Sequence, residues 1–411
     1  MDAMEIPRFG VGRRRLLGNA ALGAILASTR IESAEAASTP ESGTVNVRDF
    51  GTRADGRTDD SDAINKAILF LRDHQMHVSA ATFAPRLVFD AGIYAVDASI
   101  NLTGLSALNA VIDGRGAVIL GRCRGQPVID ALGSRFLTIR DLTIIGDKDR
   151  PPSVGMQIGR LNDGRVADDH RLNDVKFIGH YTLACLLNNA SETCGFDHVF
   201  FWNDYPDSKS FCLIQDGLNY FGATSTLVPD QHSIPQADSS FNENEFINCT
   251  FQHGGGGTPV WLGDTDRHRF YRCYAAGRGE TAFVIYCGPR SHTMLEIDCH
   301  CETGDLQAVF RITGHVSSAT LYGFSFKDHA VFSTSAVFER QEPVENVVIQ
   351  HVRIELGHFF HSNCRVLDDP SAWRVIGEVY LSEPDHWNGT ENFAGTLFLG
   401  QTVYHKSIGK L

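Results

Sequence analysis

One apolar phrase keeps returning along the chain, with polar residues filling the positions between. Its form is Φ-x-x-Φ-x-Φ, where Φ is mostly Ile, Leu, Val, Phe or Cys. It reads Ile139/Leu142/Ile144, Leu172/Val175/Phe177, Phe196/Val199/Phe201, Phe246/Cys249/Phe251, Phe270/Cys273/Ala275, Leu321/Phe324/Phe326 and Ile349/Val352/Ile354, with a degraded copy at Cys299 and Cys301. The middle positions are separated by 33, 24, 50, 24, 26, 25 and 28 residues, and the 50 reads as two coils with one phrase lost. Short strands repeated about every 25 residues define a solenoid.

A second apolar strand follows each first one after a turn, as in Cys185-Leu186-Leu187, Val260-Trp261-Leu262, Phe283-Val284-Ile285 and Val309 to Ile312. Two or three strands per turn, stacked at roughly 4.8 Å per coil, make a parallel β-helix. A β-sandwich is the alternative, but its strands rarely keep one phrase at one spacing. The fold expected is therefore all-β, a single-stranded right-handed parallel β-helix of about ten coils. Alternation sends one strand residue inward and the next outward. Cys249, Cys273 and Cys299 then fall in one inward column.

Composition narrows the class. Net charge is −13 and no basic run follows the N-terminus, which disfavours nucleic acid as a partner. An acidic polymer is still compatible, because a few cations in a groove can outweigh distant charge. Arg13-Arg14-Arg15 precedes a short apolar run from Leu16 to Ala27 and the small residues Ala34 to Ala37. That arrangement is similar to a twin-arginine export signal, with a plain secretory signal as the other reading. Residues 1–37 are expected to be removed, leaving no membrane span and a periplasmic or secreted protein. Ten cysteines in an exported chain invite disulfides, yet Cys249, Cys273, Cys299 and Cys301 sit at inward positions and read as small hydrophobes. Cys299-His300-Cys301 does not make a metal site, because alternation points both sulfurs inward and the imidazole outward. No cofactor and no metal are expected.

Residues 45–102 add a resemblance. The stretch VNVRDFGTRADGRTDDSDAINKAILFLR followed by RLVFDAGIYAV resembles the N-terminal phrase of pectate-lyase-like β-helix proteins, matching it at Asp49, Phe50, Gly51, Asp55, Gly56, Thr58, Asp59, Asp60, Gly92 and Tyr94. The departures are Thr52 and Asp90-Ala91. The resemblance implies the fold but no one reaction, since the superfamily holds polygalacturonase-related enzymes, alginate epimerases and phage depolymerases. The motif series of polygalacturonases and the D-P-H triplet of the epimerases are absent, so the resemblance transfers no catalytic residue. Within this segment Asp59 to Ser61 offer a helix N-cap, and Ala63, Ile64, Ala67, Ile68 and Leu71 form one apolar face that can plug the open end of the coil. Residues 38–105 thus form the N-terminal cap and first coil, 106–364 the coils with an insertion near 204–242 (a lid or subunit contact), and 365–411 a C-terminal cap. Nothing in the sequence reports the oligomeric state.

Outward positions carry the candidate chemistry. One outward row runs Lys176, Phe200, Thr250, Tyr274, His300, Ser325, Arg353, and the next runs Ile178, Trp202, Gln252, Ala276, Glu302, Lys327, Glu355. Phe200, Trp202 and Tyr274 offer faces on which sugar rings stack, with Trp261 similar on the second strand. The turns after the first strands bring in His253, Arg278, Glu280, Asp305, Asp328 and His329. Glu302, Lys327, His300, Glu280, Asp305, Asp328 and Arg278 are the catalytic candidates, and Trp202, Phe200, Tyr274, His253 and Arg353 the substrate-binding ones. The run Gly254 to Gly257 reads as a flexible turn, lacking the Lys-Ser/Thr of a phosphate loop. A hydrolase needs two carboxylates, roughly 5.5 Å apart to retain configuration and 6.5–9.5 Å to invert it. A lyase or epimerase of uronic acids needs a cation for the substrate carboxylate and a base for the neighbouring proton. The expected function is cleavage of a polysaccharide, one containing uronic acid, in an external groove. Hydrolysis and β-elimination are both open; the alternatives are a non-catalytic carbohydrate-binding or surface-structural β-helix and a uronate C5-epimerase.

Overall fold

The computed structural model describes residues 43–75, 85–103, 105, 109–160, 167–217, 221, 243–263, 266–287, 292–303, 307–314, 318–328, 336–356, 364–381, 387–389 and 392–406. The leader expected over residues 1–37 lies outside them. From residue 43 onward the chain coils as a right-handed parallel β-solenoid. Each coil gives one strand to a ten-stranded parallel sheet and one bent strand, or a pair of short strands, to a 21-stranded sheet.

The bend is set by backbone conformation. Asp141, Asp174, His198, Asn248, Arg272 and His351 all have φ between 51° and 56°, and Gly323 has 67°. These are left-handed turns, which short polar side chains tolerate better than β-branched ones. Each lies one position before a middle residue of the apolar phrase. The middle residues Leu142, Val175, Val199, Cys249, Cys273, Cys299, Phe324 and Val352 are all buried in a single core. The phrase therefore encodes a corner: an apolar strand, a left-handed residue, then another inward side chain.

Stacking one coil on the next turns repeats into columns. Phe196, Phe246 and Phe270 stack with ring centroids 4.4 and 4.7 Å apart, and Phe177, Phe201 and Phe251 at 5.4 and 5.1 Å. Aromatic pairs of this kind contribute about 0.5–1.5 kcal/mol each beyond the area they bury. Cys273 pairs in register with Cys299, and the column of three sulfurs from Cys249 to Cys299 forms as the alternation required. All ten cysteines are free and buried.

Two expectations are corrected. Phe196 pairs directly with Phe246 and Phe201 with Phe251, so the 50-residue gap is one coil and no phrase is lost. The extra length lies between strands Phe211–Asp216 and Glu245–Ile247, and the ladders on both sides are unbroken; most of the insertion expected near 204–242 as a lid or subunit contact lies outside the described residues. The coil also continues past residue 365: strands Trp373–Leu381 and Phe393–Leu399 pair in parallel with their predecessors, and only Thr402–Lys406 turns back antiparallel.

At the other end the helix Ser61–Gln75 buries Ile64, Ala67, Ile68 and Leu71 against the core. Its entry is held by carboxylates, as expected. Asp59 Oδ1 accepts from Ser61 N and Oγ, and Asp60 accepts from Arg53 N and Ala54 N at 2.7 and 3.0 Å. Asp55 accepts from Arg57 N, Thr58 N and Thr58 Oγ1, which lowers its pKa to about 2. The described backbone holds no helix long and apolar enough to cross a membrane.

Part of the interior is polar. Gln215 Oε1 accepts from Asn188 Nδ2 (3.0 Å) and Asn244 Nδ2 (3.1 Å), and Asn244 Nδ2 lies 3.2 Å from His268 Nε2. His268 Nδ1 lies 2.9 Å from the Asp266 carbonyl. A carbonyl only accepts, so Nδ1 carries the proton and Nε2 accepts from Asn244. Burial lowers the pKa of this imidazole to about 4 and keeps it neutral.

Candidate functional site

The outer rows form as the sequence required up to strand Leu295–Thr303. Lys176, Phe200, Thr250, Tyr274 and His300 pair coil by coil, as do Ile178, Trp202, Gln252, Ala276 and Glu302. Three of these side chains converge. Tyr274 Oη donates to Glu302 Oε2 at 2.7 Å, and His300 Nε2 lies 3.1 Å from Glu302 Oε1. The Tyr274 and His300 rings stack at 5.7 Å with 21° between planes. Because a carboxylate can only accept, Nε2 of His300 carries a proton, and Nδ1 has no partner among the described residues. The hydrogen bond from Tyr274, then that from His300, lowers the Glu302 pKa. Burial, then the Glu302 hydrogen bond and charge, raises that of Tyr274. The set is thus a fixed carboxylate bracing a neutral phenol and an oriented imidazole, half exposed on the outer wall.

Phe200 and Trp202 lie on the same wall, both partly exposed, with ring centroids 5.9 Å apart. Trp202 is fixed by its Nε1 donating to Asp204 Oδ1 at 2.6 Å. Trp261 does point outward, but it is only 9% exposed and packs edge-on against Phe211 and Phe221.

Other candidates are held elsewhere. Lys327 does not stand beside Glu302. Strand Ser325–Asp328 pairs Ser325 with Glu296 and Lys327 with Asp298, four positions earlier than the repeat implied. None of residues 295–303 is left-handed, and the pairing skips Arg272 between Tyr271/Asp298 and Cys273/Cys299. This strand is one residue short at the corner, and the next coil pairs with its first half. Lys327 instead meets Glu355 at 3.4 Å, and Arg353 meets the same carboxylate at 2.7 Å while lying 4.9 Å over the Tyr380 ring. Glu280 accepts from Arg311 Nη1 at 2.9 Å on the outer face of the shorter sheet. Arg278 is exposed and has no ion pair among the described residues. Asp305 and His329 lie outside the described residues, as does the side chain of Asp328.

His253 is a structural residue. It is 1% exposed. Its Nδ1 accepts from Gly255 N and Gly257 N at 3.2 and 3.0 Å, so Nε2 carries the proton, 3.0 Å from Ser210 Oγ. Burial lowers its pKa to about 4. The glycine run wraps this ring tightly: a Cβ on Gly257 would fall 2.5 Å from His253 Nε2. The turn is packed rather than flexible.

The sequence reading took outward rows only from the second half of each bent strand. The first half holds a further cavity of about 540 Å³, lined among others by Arg171, Gly195, Asp197, Glu245, Arg267 and Arg269. The same alternation, applied before the corner, marks Arg171, Glu245 and Arg269 as outward.

Residues 44–156 match the family model described as rhamnogalacturonase A/epimerase, pectate lyase-like. Together with the coil, this defines a pectate-lyase-like right-handed parallel β-helix. Among solved structures the chain is similar to PfbA, a surface adhesin of Streptococcus pneumoniae (TM-score 0.50, 11% identity, 89% of this chain and 96% of that one). It is also similar to endo-xylogalacturonan hydrolase from Aspergillus tubingensis (TM-score 0.44, 10% identity, 90% and 100%). A third is ORF18 of Geobacillus virus E2 (TM-score 0.42, 15% identity), of which the match covers 89% of this chain but spans only 62% of that one. Such identities speak for the fold alone. No curated protein matches the chain.

Proposed function

We propose that this β-helix acts on a polysaccharide containing uronic acid and that its chemistry begins with removal of the proton beside the sugar carboxylate. The supporting observation is the Tyr274–Glu302–His300 set, in which Glu302 orients the imidazole and leaves Nδ1 open. A glycoside hydrolase would need an acid whose pKa is raised and a second carboxylate facing it. Glu302 has the opposite shift, and Glu280 is drawn off by Arg311.

In the proposed step His300 Nδ1 takes the C5 proton. The electron pair left behind forms a C4–C5 double bond, the C4–O bond breaks, and the leaving oxygen takes a proton from the imidazolium. Arg278, exposed at the turn after Tyr274, offsets the substrate carboxylate and so acidifies C5. Phe200 and Trp202 carry further sugar rings along the wall. If the same carbanion were reprotonated on its other face, the result would be epimerisation.

The test uses a panel of acidic polysaccharides. New ultraviolet absorbance from unsaturated ends, lost in Glu302→Gln and His300→Ala without loss of fold, supports the reading. Reducing ends without that absorbance would replace it with hydrolysis. Retention of polymer on an affinity gel with no change in viscosity or stereochemistry would mark a binding protein.

A further inference from the structure

The cavity on the first half of the long sheet has a definite construction. The outward positions Arg171, Gly195, Glu245 and Arg269 stand in register on four successive coils. Gly195 has ordinary backbone dihedrals, outside the left-handed set, so what it supplies is space and not conformation. A Cβ there would come 3.0 Å from Arg171 Cδ. The arginine therefore lies over the notch, with its Nη1 donating to the carbonyls of His170 and Thr193. Two backbone carbonyls use one nitrogen of the guanidinium and supply no negative charge. The other donors are open, and no carboxylate pairs with Arg171 among the described residues.

Across the notch the situation is reversed. Glu245 has no hydrogen-bond or ion-pair partner among the described residues. Arg267 is satisfied by Glu243 at 2.8 Å, and Arg269 by Glu296 at 3.1 Å. The backbones of Arg171 and Glu245 lie two strand spacings apart, about 10 Å. Gly195 leaves room between them for the Arg171 side chain, which its two carbonyl contacts hold without pairing it to Glu245.

We propose that this cavity binds one uronate residue of an acidic polysaccharide, with the sugar carboxylate on the open donors of Arg171 and ring hydroxyls donating to Glu245 and Asp197. A cavity of about 540 Å³ has room for a sugar ring. A guanidinium takes a carboxylate in bidentate fashion, and carboxylates accept sugar hydroxyls. Neutral glycans would lack a partner for Arg171; simple anions would leave Glu245 uncompensated. The site lies on the sheet half before the corner, whereas Tyr274, His300 and Glu302 lie after it. It serves to hold the polymer at a second point. The proposal shares with the proposed function only the class of polymer and does not depend on turnover.

The experiment is calorimetric titration of the full chain with a short oligogalacturonate, a short oligomannuronate and, as the neutral probe, cellotetraose. One of the two acidic probes is expected to bind, and cellotetraose is not. Arg171→Ala and Gly195→Val, the second filling the notch without backbone strain, should each raise Kd at least tenfold while far-ultraviolet dichroism stays unchanged. Lys327→Ala, which lies in neither the cavity nor the Glu302 set, should bind as the parent does. Parent-like affinity in both cavity variants would overturn the assignment, as would loss of binding confined to Glu302→Gln or equal binding of cellotetraose. Absence of binding to either acidic probe would also overturn it.

Discussion

The outer wall before strand Leu295–Thr303 and the wall after it are built from the same phrase but do not continue one another. Before it, Phe200, Tyr274 and His300 line up coil on coil, each corner carrying its left-handed residue. After it, the wall resumes four positions out of step, and Lys327, Arg353 and Glu355 form a separate charged patch beside Tyr380. The shorter sheet shows no such break: Phe283, Phe310 and Phe338 stack through the same coils at 5.3 and 5.2 Å. In the long sheet the inward residues move with the outward ones, Phe326 pairing with Ile297 and not with Cys301. The sheet without a corner keeps its register, while the bent sheet changes register and moves its surface chemistry.

The sharpest way to break this contrast is in the interior. Phe246→Ala removes the middle ring of a three-ring stack and should cost about 3–5 kcal/mol in denaturant unfolding. A loss below 1 kcal/mol would mean the columns do not carry stability. On the wall, Glu302→Gln should lower turnover at least a hundredfold, about 2.7 kcal/mol in barrier, with the unfolding midpoint unchanged. A smaller effect follows from His170, which is fully buried, with neither ring nitrogen in a well-formed hydrogen bond among the described residues. Burial lowers its pKa from 6.5 to about 3. Between those values the unfolded chain binds a proton that the folded chain excludes, so its contribution is complete above pH 6.5 and is lost as pH falls towards 3. His170→Leu should be at least as stable as the parent at pH 7 and should remove about 2 kcal/mol of the decline between pH 7 and 5. An unchanged pH slope would show that His170 is solvated. The smallest effect belongs to Lys327→Ala, about 0.5 kcal/mol or less in stability and no loss of turnover, because Lys327 is itself exposed and its ion pair with the partly buried Glu355 is screened by solvent. Abolished turnover in this variant would restore Lys327 to the site beside Glu302.

The fold was legible because the phrase reports packing, and packing repeats. The inward sulfur column, the capping helix and the outer row through Tyr274 and His300 all follow from period and alternation. What sequence could not report was register across an irregular corner. The copy at Cys299 and Cys301 is visibly degraded, one residue shorter between Ile297 and Cys299 than the phrase elsewhere, but that spacing does not report the four-position offset that separates Lys327 from Glu302. Nor could it report burial by turns: His253 follows an outward position in the phrase, yet Gly254 to Gly257 fold over it and Ser210 meets it from an earlier turn. The 50-residue spacing looked like a lost coil because an insertion and a missing phrase have the same length signature.

The central claim is that an oriented imidazole beside Glu302 removes the proton at C5 of a uronate. The most direct measurement is deuterium uptake at C5, or appearance of the C4–C5 double bond, when the protein acts on acidic polysaccharides in heavy water. The account predicts one of these signals in the parent and at least a hundredfold less in Glu302→Gln. Chain cleavage that yields reducing ends with C5 untouched would contradict it.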